Sequence, residues 1–216
     1  AEIVLLLNAP VLARTSELLQ RHGVTGLVYD EGKDLPENWK NWHPSSFRWS
    51  MFLQYMQAHG SVQSLLMIDA RDAAFQSDPF KALSSDQPGL YTYEESDTIG
   101  ANGWNRDWIK DCFGQGMAEK MSRHKVTCSG VSIGTRDSVL TYLQQMDAEL
   151  KKPSFNICER NGVDQGVHNV LVRQQPPMKG LVLSSQHTGW IAHMQSRIGK
   201  AQQTSTGSFI VRNSNG

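Results

Sequence analysis

The sequence predicts an α/β fold in which a mostly parallel central sheet is flanked by helices. Short apolar runs at residues 3–7, 26–29 and 64–68 alternate with segments of helical periodicity. Continuous apolar runs are typical of strands buried on both faces, and strand–helix alternation is typical of parallel sheets. The length of 216 residues and the hydrophobic content of 39% are those of an ordinary globular protein.

The first half of the chain carries most of this alternation. Gly23 ends a helix that places Leu18 and Leu19 on one face, and Ser45 or Ser46 caps a longer helix with Phe47 and other apolar residues at helical spacing. The segment 34–44 is rich in Trp and Pro, which predicts a loop. In chain order, the predicted elements are a strand at 3–7, a helix at 15–22, a strand at 26–29, a helix from 45 to about 59, and strands at 64–68 and 90–93.

The second half is less regular. Residues 94–116 lack a clear period and are rich in Gly and Asn, which predicts an ordered functional loop with a short helix near Trp108. The later elements are a strand at 131–133, helices at 137–150 and 164–172, and a strand at 181–183. We expect one domain at 1–200, with halves at about 1–95 and 96–200. The polar segment 201–216 predicts a loose tail or linker.

Charge and cysteine content narrow the class of protein. Lys plus Arg and Asp plus Glu number 21 each, which argues against nucleic acid as a partner. Three widely spaced cysteines without a CxxC pair predict reduced, buried thiols. No apolar run reaches the roughly 18–20 residues of a membrane span, and the start lacks the features of a signal peptide. We therefore expect no membrane span in this chain and a cytoplasmic location.

Polar and acidic residues follow the predicted strands. Asn8, Ala9 and Pro10 follow the first strand, Asp30 follows the second, and the segment 69–72 (Asp-Ala-Arg-Asp) follows the third. In parallel sheets, ligands bind beyond the carboxyl ends of the strands. Two carboxylates there favour a hard divalent cation, Mn²⁺ or Mg²⁺, shared with substrate phosphates. The alternative is structural: a helix-capping Asp and a surface Asp–Arg pair.

Four segments together resemble glycosyltransferases with the GT-A fold. Residues 65–80 (LLMIDARDAAFQSDPF) are similar to the DxD region of those enzymes, and residues 128–134 (CSGVSIG) to the strand under the donor sugar. Residues 162–169 (GVDQGVHN) resemble the helix start near the transferred sugar, and residues 187–189 (HTG) a late segment that supplies a histidine metal ligand. The strings WIKDC and CSGV are similar to the group that includes the amino-terminal rhamnosyltransferase domain of a chlorella-virus glycosyltransferase and its eukaryotic relatives.

The resemblance implies a GT-A-like domain that transfers a sugar, as a hexosyltransferase, from a UDP-sugar such as UDP-rhamnose or UDP-glucose to a glycan or other hydroxyl acceptor. It also implies a nucleotide-binding half at about 1–95, an acceptor and sugar half at about 96–200 and, if the protein is viral, a location in the host cytoplasm. The spacing departs from Asp-x-Asp, since Ala70 stands where the first Asp usually lies. Asp72 then becomes the principal metal-binding and catalytic carboxylate. Asp69 is a second metal ligand or a ribose contact, and His187 completes the metal site. Retention of configuration is favoured over inversion.

The remaining candidate residues surround the donor and acceptor. Arg48 suits the phosphate oxygens. Asp164 suits a sugar hydroxyl or acts as a base, and its structural alternative is a helix N-cap. His168 has apolar neighbours, which favours a core histidine. The other expected donor contacts are Asn8, Ala9, Pro10, Asp30, Asp69, Ala70, Arg71, Ser129, Gly130 and Gln165. The expected acceptor contacts are Trp104 and Trp190, for which burial in the core is the alternative.

Two other functions remain open from the sequence. A metal-dependent phosphohydrolase or nucleotidyltransferase also places carboxylates at strand ends, although it usually needs a second acidic cluster or a Gly-rich phosphate loop. A non-catalytic module that binds nucleotide-sugars would bind without turnover. Neither a G-x-G-x-x-G nor a Walker-type loop occurs in the sequence.

Overall fold

The computed structural model describes residues 1–70, 73, 75–83, 89–173, 181–184, 202–205 and 209–210. The chain divides into two compact units, Ala1–Trp42 and His43–Gly216. Helices and strands alternate in both, so the predicted α/β class is confirmed. Among the residues so described, no helix has the length and apolar character needed to cross a membrane.

The first unit is a β–α–β arrangement. Strands β1 (Ile3–Asn8) and β2 (Val24–Tyr29) pair in parallel, and helix α1 (Ala13–Arg21) connects them. Gly23 has a φ of +65°, a conformation that glycine adopts without steric cost, and it ends the helix as the sequence predicts. These three elements agree with the sequence prediction to within two residues at each end.

The second unit contains a four-stranded mixed sheet. Its strands are β3 (Ser64–Ile68), β4 (Leu90–Thr98), β5 (Lys125–Thr135) and β6 (Leu181–Ser184), in the order β3-β5-β4-β6. β5 is antiparallel to both of its neighbours, whereas β4 and β6 are parallel. The expectation of a mostly parallel central sheet is therefore wrong for these strands. An apolar run indicates where a strand lies but not its direction, and here it also overstates burial, since only Met67 of β3 is buried. The short strands β7 (Gln202–Gln203) and β8 (Phe209–Ile210) form a separate, antiparallel two-stranded sheet.

Helices pack around this sheet. α2 (Pro44–Ala58), α5 (Arg136–Leu150) and α7 (Val163–Val172) pack against one another, and α7 also packs on β5. The predicted helices are confirmed, although the N-cap of α2 is His43 and not Ser45 or Ser46. Completely buried side chains such as Leu143 and Met146 fill the space between these elements.

The segment predicted as a functional loop is largely helical. α3 (Gly103–Phe113) and α4 (Gln115–Met121) occupy its second half and continue beyond it, and β4 extends into its first half. Asn102 caps α3 by accepting a hydrogen bond from the backbone N–H of Asn105 at 3.1 Å. Gly114, with a φ of +87°, separates the two helices. The helix expected near Trp108 is therefore present, but the sequence pattern underestimates its length because Gly, Asn and exposed charged residues outnumber its buried positions.

A disulfide corrects the expectation of reduced thiols. Cys112, near the end of α3, is bonded to Cys158, the last residue of the short helix α6 (Phe155–Cys158). Cys128 on β5 is a free thiol, and burial, followed by the charge of Glu95, raises its pKa to about 12. The odd cysteine count therefore reflects one disulfide and one thiol, a combination that spacing alone does not reveal.

Candidate functional site

Arg48 joins two of the predicted acidic residues. Its Nη2 donates to Oδ2 of Asp164 at 2.9 Å, and its Nη1 donates to Oδ1 of Asp69. Asp69 directly follows β3, and Asp164 lies in the first turn of α7. The guanidinium thus connects segments that stand far apart in the chain. Burial lowers the pKa of Arg48, but the charges of Asp164 and Asp69 outweigh burial and raise the pKa above its ordinary value.

The two arms of this bridge differ in exposure. The side chain of Asp164 is 2% exposed, whereas that of Asp69 is 50% exposed. Oδ2 of Asp164 also accepts a hydrogen bond from Nε1 of Trp49 at 3.2 Å, and the Arg48 guanidinium lies 5.0 Å from the Trp49 ring centroid. The N-cap of α7 is Gly162, so the N-cap interpretation of Asp164 is wrong. Asp164 is the buried and firmly held arm, and Asp69 is the arm open to solvent.

Strand β5 passes directly beneath Asp69. The backbone N–H of Asp69 donates to the carbonyl of Gly130 at 2.9 Å, and a Cβ at residue 130 would lie 2.6 Å from Oδ2 of Asp69. Only glycine lets the strand approach this carboxylate so closely. The predicted residues Asp69 and Gly130 are therefore in contact.

A polar side-chain network continues from the strand to α7. Oε1 of Gln165 accepts from the backbone N–H and the hydroxyl of Ser129, each at 3.3 Å, and Nε2 of Gln165 donates to Oδ1 of Asn105 at 3.2 Å. Oδ1 of Asn169 accepts a hydrogen bond from the backbone N–H of Thr127 at 2.8 Å. The structure thus brings Ser129 and Gln165 together. Asn105 and Trp49 were missed by the sequence analysis, although a Trp beside the candidate Arg48 is a usable signal.

A second buried pair, Tyr142 and His168, joins α5 to α7. The hydroxyl of Tyr142 and Nδ1 of His168 lie 2.5 Å apart, and both side chains are almost completely buried. Burial, followed by the charges of Arg48 and Arg173, lowers the pKa of His168 to about 3. The prediction that His168 is a core histidine is confirmed.

The candidates in the first unit also lie together within that unit. Asn8 is opposite Tyr29 at the ends of β1 and β2, and the N–H of Ala9 donates to the carbonyl of Tyr29 at 2.8 Å. The Ala9–Pro10 peptide bond is cis. Asp30 accepts from the N–H of Gly32 at 2.9 Å, and its hydrogen bond to Lys33 and then that to Gly32 lower its pKa. The ends of β1 and β2 therefore lie side by side, as the sequence predicts for these two strands.

The aromatic candidates divide between exposed and packed positions. Trp104 is 74% exposed on α3, and its ring centroid lies 6.1 Å from that of Trp108. Trp108 packs on α7, where a Cβ at residue 162 would lie 2.5 Å from its ring. Ala70 is exposed beside Asp69. The remaining candidates lie outside the described residues: Arg71, Asp72, His187 and Trp190.

Asp69 offers a carboxylate of the kind that hard divalent cations bind, but in the described ranges no three His, Cys, Asp or Glu side chains are grouped so that they could hold a metal ion. Arg48 donates to Oδ1 of Asp69, and Oδ2 of the same half-exposed carboxylate lies next to Gly130. Carboxylate oxygens are the ligands that Mn²⁺ and Mg²⁺ take, usually with substrate phosphates completing the coordination. Asp69 is the one expected metal ligand within the described ranges.

In comparisons with known proteins, no family model matches the chain and no curated protein matches it.

Proposed function

We propose that this chain is a metal-dependent glycosyltransferase that transfers a sugar from a UDP-sugar to a hydroxyl acceptor. The observation that carries the proposal is the Arg48 bridge between Asp69 and Asp164. Its two carboxylates come from the acidic segment at 65–80 and the helix start at 162–169, and Gly130 comes from the strand at 128–134. Three of the four segments that resemble GT-A enzymes therefore contribute to one cluster.

The chain's own residues divide the work of donor binding. Asp164, held by Trp49, keeps Arg48 in place, so that a positive charge stands beside the acidic segment. Asp69 is the solvent-exposed arm, and it can exchange Arg48 for a cation without breaking a buried contact. A bound Mn²⁺ or Mg²⁺ would neutralise the charge that develops on the departing diphosphate. Ser129 and Gln165 supply polar groups on the side of β5 and α7.

The disulfide suggests where this reaction takes place. Disulfides form and persist in oxidising compartments and are rare in the cytosol, where thiols are kept reduced. The Cys112–Cys158 bond therefore favours an oxidising compartment over the cytoplasmic location expected from the sequence. We include such a compartment in the proposal.

Calorimetric titration with UDP, with Mn²⁺ present and then after EDTA, tests the donor site. The wild-type protein is compared with Asp69→Asn and Asp72→Ala, and Asp97→Asn on β4 is an exposed-carboxylate control. We expect metal-dependent binding that weakens at least tenfold in both site variants and is unchanged in the control. Absence of binding to UDP, GDP and other nucleoside diphosphates, with or without metal, would exclude the glycosyltransferase.

Turnover assays separate the three candidate functions. Incubation with UDP-glucose or UDP-rhamnose and Mn²⁺ releases UDP if the chain transfers sugars, slowly to water even when the acceptor is unknown. Release of inorganic phosphate from a nucleotide or a phosphate ester would instead favour the phosphohydrolase. Tight binding without any UDP release would favour the non-catalytic module.

A further inference from the structure

Trp104 is an exposed aromatic side chain on a helix that is firmly attached to the candidate site. It is 74% exposed, and it lies near the start of α3. Single exposed apolar side chains are common on protein surfaces, so exposure alone does not mark a binding site. What distinguishes Trp104 is its position, next to Asn105, which contacts the polar network of the candidate site.

Three kinds of contact attach α3 to the start of α7. The Cys112–Cys158 disulfide and the ion pair between Asp111 and Arg160, at 2.5 Å, join α3 to the segment that precedes α7. Gln165 on α7 donates to Asn105. The position of the Trp104 backbone is therefore fixed relative to the helix that carries Asp164.

Trp108 makes the surface continuous between Trp104 and α7. A Cβ at Gly162 or at Gly166 would lie 2.5 Å or 2.8 Å from Trp108 atoms, so both glycines make room for this side chain. Trp104 stands on the other side, with its ring tilted by 36° from that of Trp108. The exposed indole is thus separated from the first turn of α7 by one packed aromatic residue.

The surroundings of Trp104 on α3 are polar. Asp107 and Asp111 follow it by three and seven residues, which places them on the same side of the helix. Asp107 is paired with Arg106 at 3.2 Å, and Lys110 is exposed nearby. A stable protein interface buries about 800 Å² per partner around a largely apolar centre. One indole bordered by carboxylates and cations matches instead a sugar ring, which has an apolar C–H face and a rim of hydroxyls.

We propose that Trp104 is the stacking platform for a sugar ring of the acceptor, with Asp107 as a hydrogen-bonding partner of its hydroxyls. The role as acceptor subsite rests on the glycosyltransferase function proposed above. A pyranose ring lies against the exposed indole face, and the carboxylate of Asp107 accepts from its hydroxyl groups. Trp108 and the disulfide hold the platform in position.

The binding test uses simple sugars as probes, namely the methyl glycosides of glucose, mannose, xylose and rhamnose. Trp104→Phe identifies the Trp104 indole N–H signal in the ¹H–¹⁵N spectrum by its disappearance. We expect one or more glycosides to shift that signal in the wild-type protein, with affinities on the order of millimolar for so small a ligand. Saturation transfer to the glycoside protons should persist in Trp104→Phe and weaken about tenfold in Trp104→Ala, since only the latter lacks an aromatic face.

The control variant is Lys120→Ala on α4, an exposed position on a neighbouring helix, which should bind the glycosides as the wild type does. UDP with Mn²⁺ is titrated into the same samples, so that the two proposals fail separately. Nucleotide binding without any glycoside response of the Trp104 signal overturns the acceptor platform and leaves the glycosyltransferase. A glycoside response without binding of any nucleoside diphosphate overturns the acceptor role and the glycosyltransferase together, and makes Trp104 part of a carbohydrate-binding module.

Discussion

Arg48 and Asp164 form an ion pair of 2.9 Å between residues 116 positions apart, and the aspartate is almost completely buried. Their pairing joins α2 to α7 in the interior of the second unit. The same guanidinium reaches the half-exposed Asp69, so one cation links a buried and an open carboxylate. This difference between the two partners leads to the first prediction.

Removing the buried carboxylate should destabilise the fold far more than removing the exposed one. Asp164→Ala leaves Arg48 without its buried partner, which costs about 3–5 kcal/mol in comparable pairs. Asp69→Ala removes a half-exposed partner, and we expect a change of about 1 kcal/mol or less. Urea unfolding followed by tryptophan fluorescence measures both free energies. Equal losses in the two variants would contradict this division.

Trp49→Phe should remove the hydrogen bond to Asp164 while an aromatic ring still fills the core at this position. The substitution removes the indole N–H that reaches Oδ2 of Asp164, and it leaves an aromatic ring beneath Arg48. We expect a loss of about 1–3 kcal/mol in the free energy of unfolding, together with weaker binding of UDP and Mn²⁺. Trp104→Phe is the matched control, since Trp104 is exposed and its replacement should change stability by about 0.5 kcal/mol at most.

The sequence foresees the elements near this cluster better than it foresees the cluster itself. The bounds of β3 agree with the prediction because the strand is a continuous apolar run that ends in Asp69. Arg48, Asp69 and Asp164 were each singled out by residue type and position, yet their pairing depends on how α2 and α7 pack, which local periodicity does not encode. Trp49 was missed because a tryptophan in an apolar helix face indicates burial first, and only its place beside Arg48 connects it with the site.

The direction of β5 and the disulfide could not be predicted from local sequence pattern either. The direction of β5 depends on pairing with β3 and β4, which lie far away in the chain. The disulfide joins cysteines 46 residues apart, and three cysteines do not reveal which of them pair. The strand ends in the first unit could be predicted more accurately, because turn residues mark the end of β1 at Asn8 and the end of β2 at Tyr29.

Gly130→Ala should damage the donor site and spare the fold. The new methyl group would lie 2.6 Å from Oδ2 of Asp69, and the carboxylate can move away because its side chain is half exposed. The movement displaces Asp69 from Arg48 and from any cation. We expect at least a tenfold loss in metal-dependent UDP affinity by calorimetry, with little change in stability. Gly116→Ala, where a Cβ meets no atom within 4 Å, should bind UDP as the wild type does.

His168 should make the second unit less stable in mild acid. Its pKa in the folded protein is lowered to about 3, whereas in the unfolded chain it is near 6.5. The unfolded state therefore binds an additional proton between these values. The stabilisation is complete above about pH 6.5 and declines as the pH falls, by up to about 1.4 kcal/mol per pH unit.

Urea unfolding between about pH 7 and pH 5 covers the range in which histidines titrate and lies above that of most carboxylates. His168→Gln keeps a polar partner for Tyr142 and should lower the slope of stability against pH, whatever its effect on absolute stability. His124→Gln, at an exposed position, controls for the loss of a histidine as such. An unchanged slope in His168→Gln would assign the pH dependence to other groups.

The disulfide should be present in protein purified without reductant, and its loss should weaken α3. Under denaturing, non-reducing conditions, iodoacetamide should alkylate one cysteine, Cys128, and after reduction it should alkylate three, as counted by intact mass. A loop closed over 46 residues corresponds to a stabilisation of about 4 kcal/mol in the chain-entropy treatment. The double variant Cys112→Ser/Cys158→Ser should lose much of this, whereas Cys128→Ser should retain it and serve as the matched control. Three alkylated cysteines before reduction would show that the bond is not formed in solution, and the argument for an oxidising compartment would then lose its basis, since that argument depends on the bond alone.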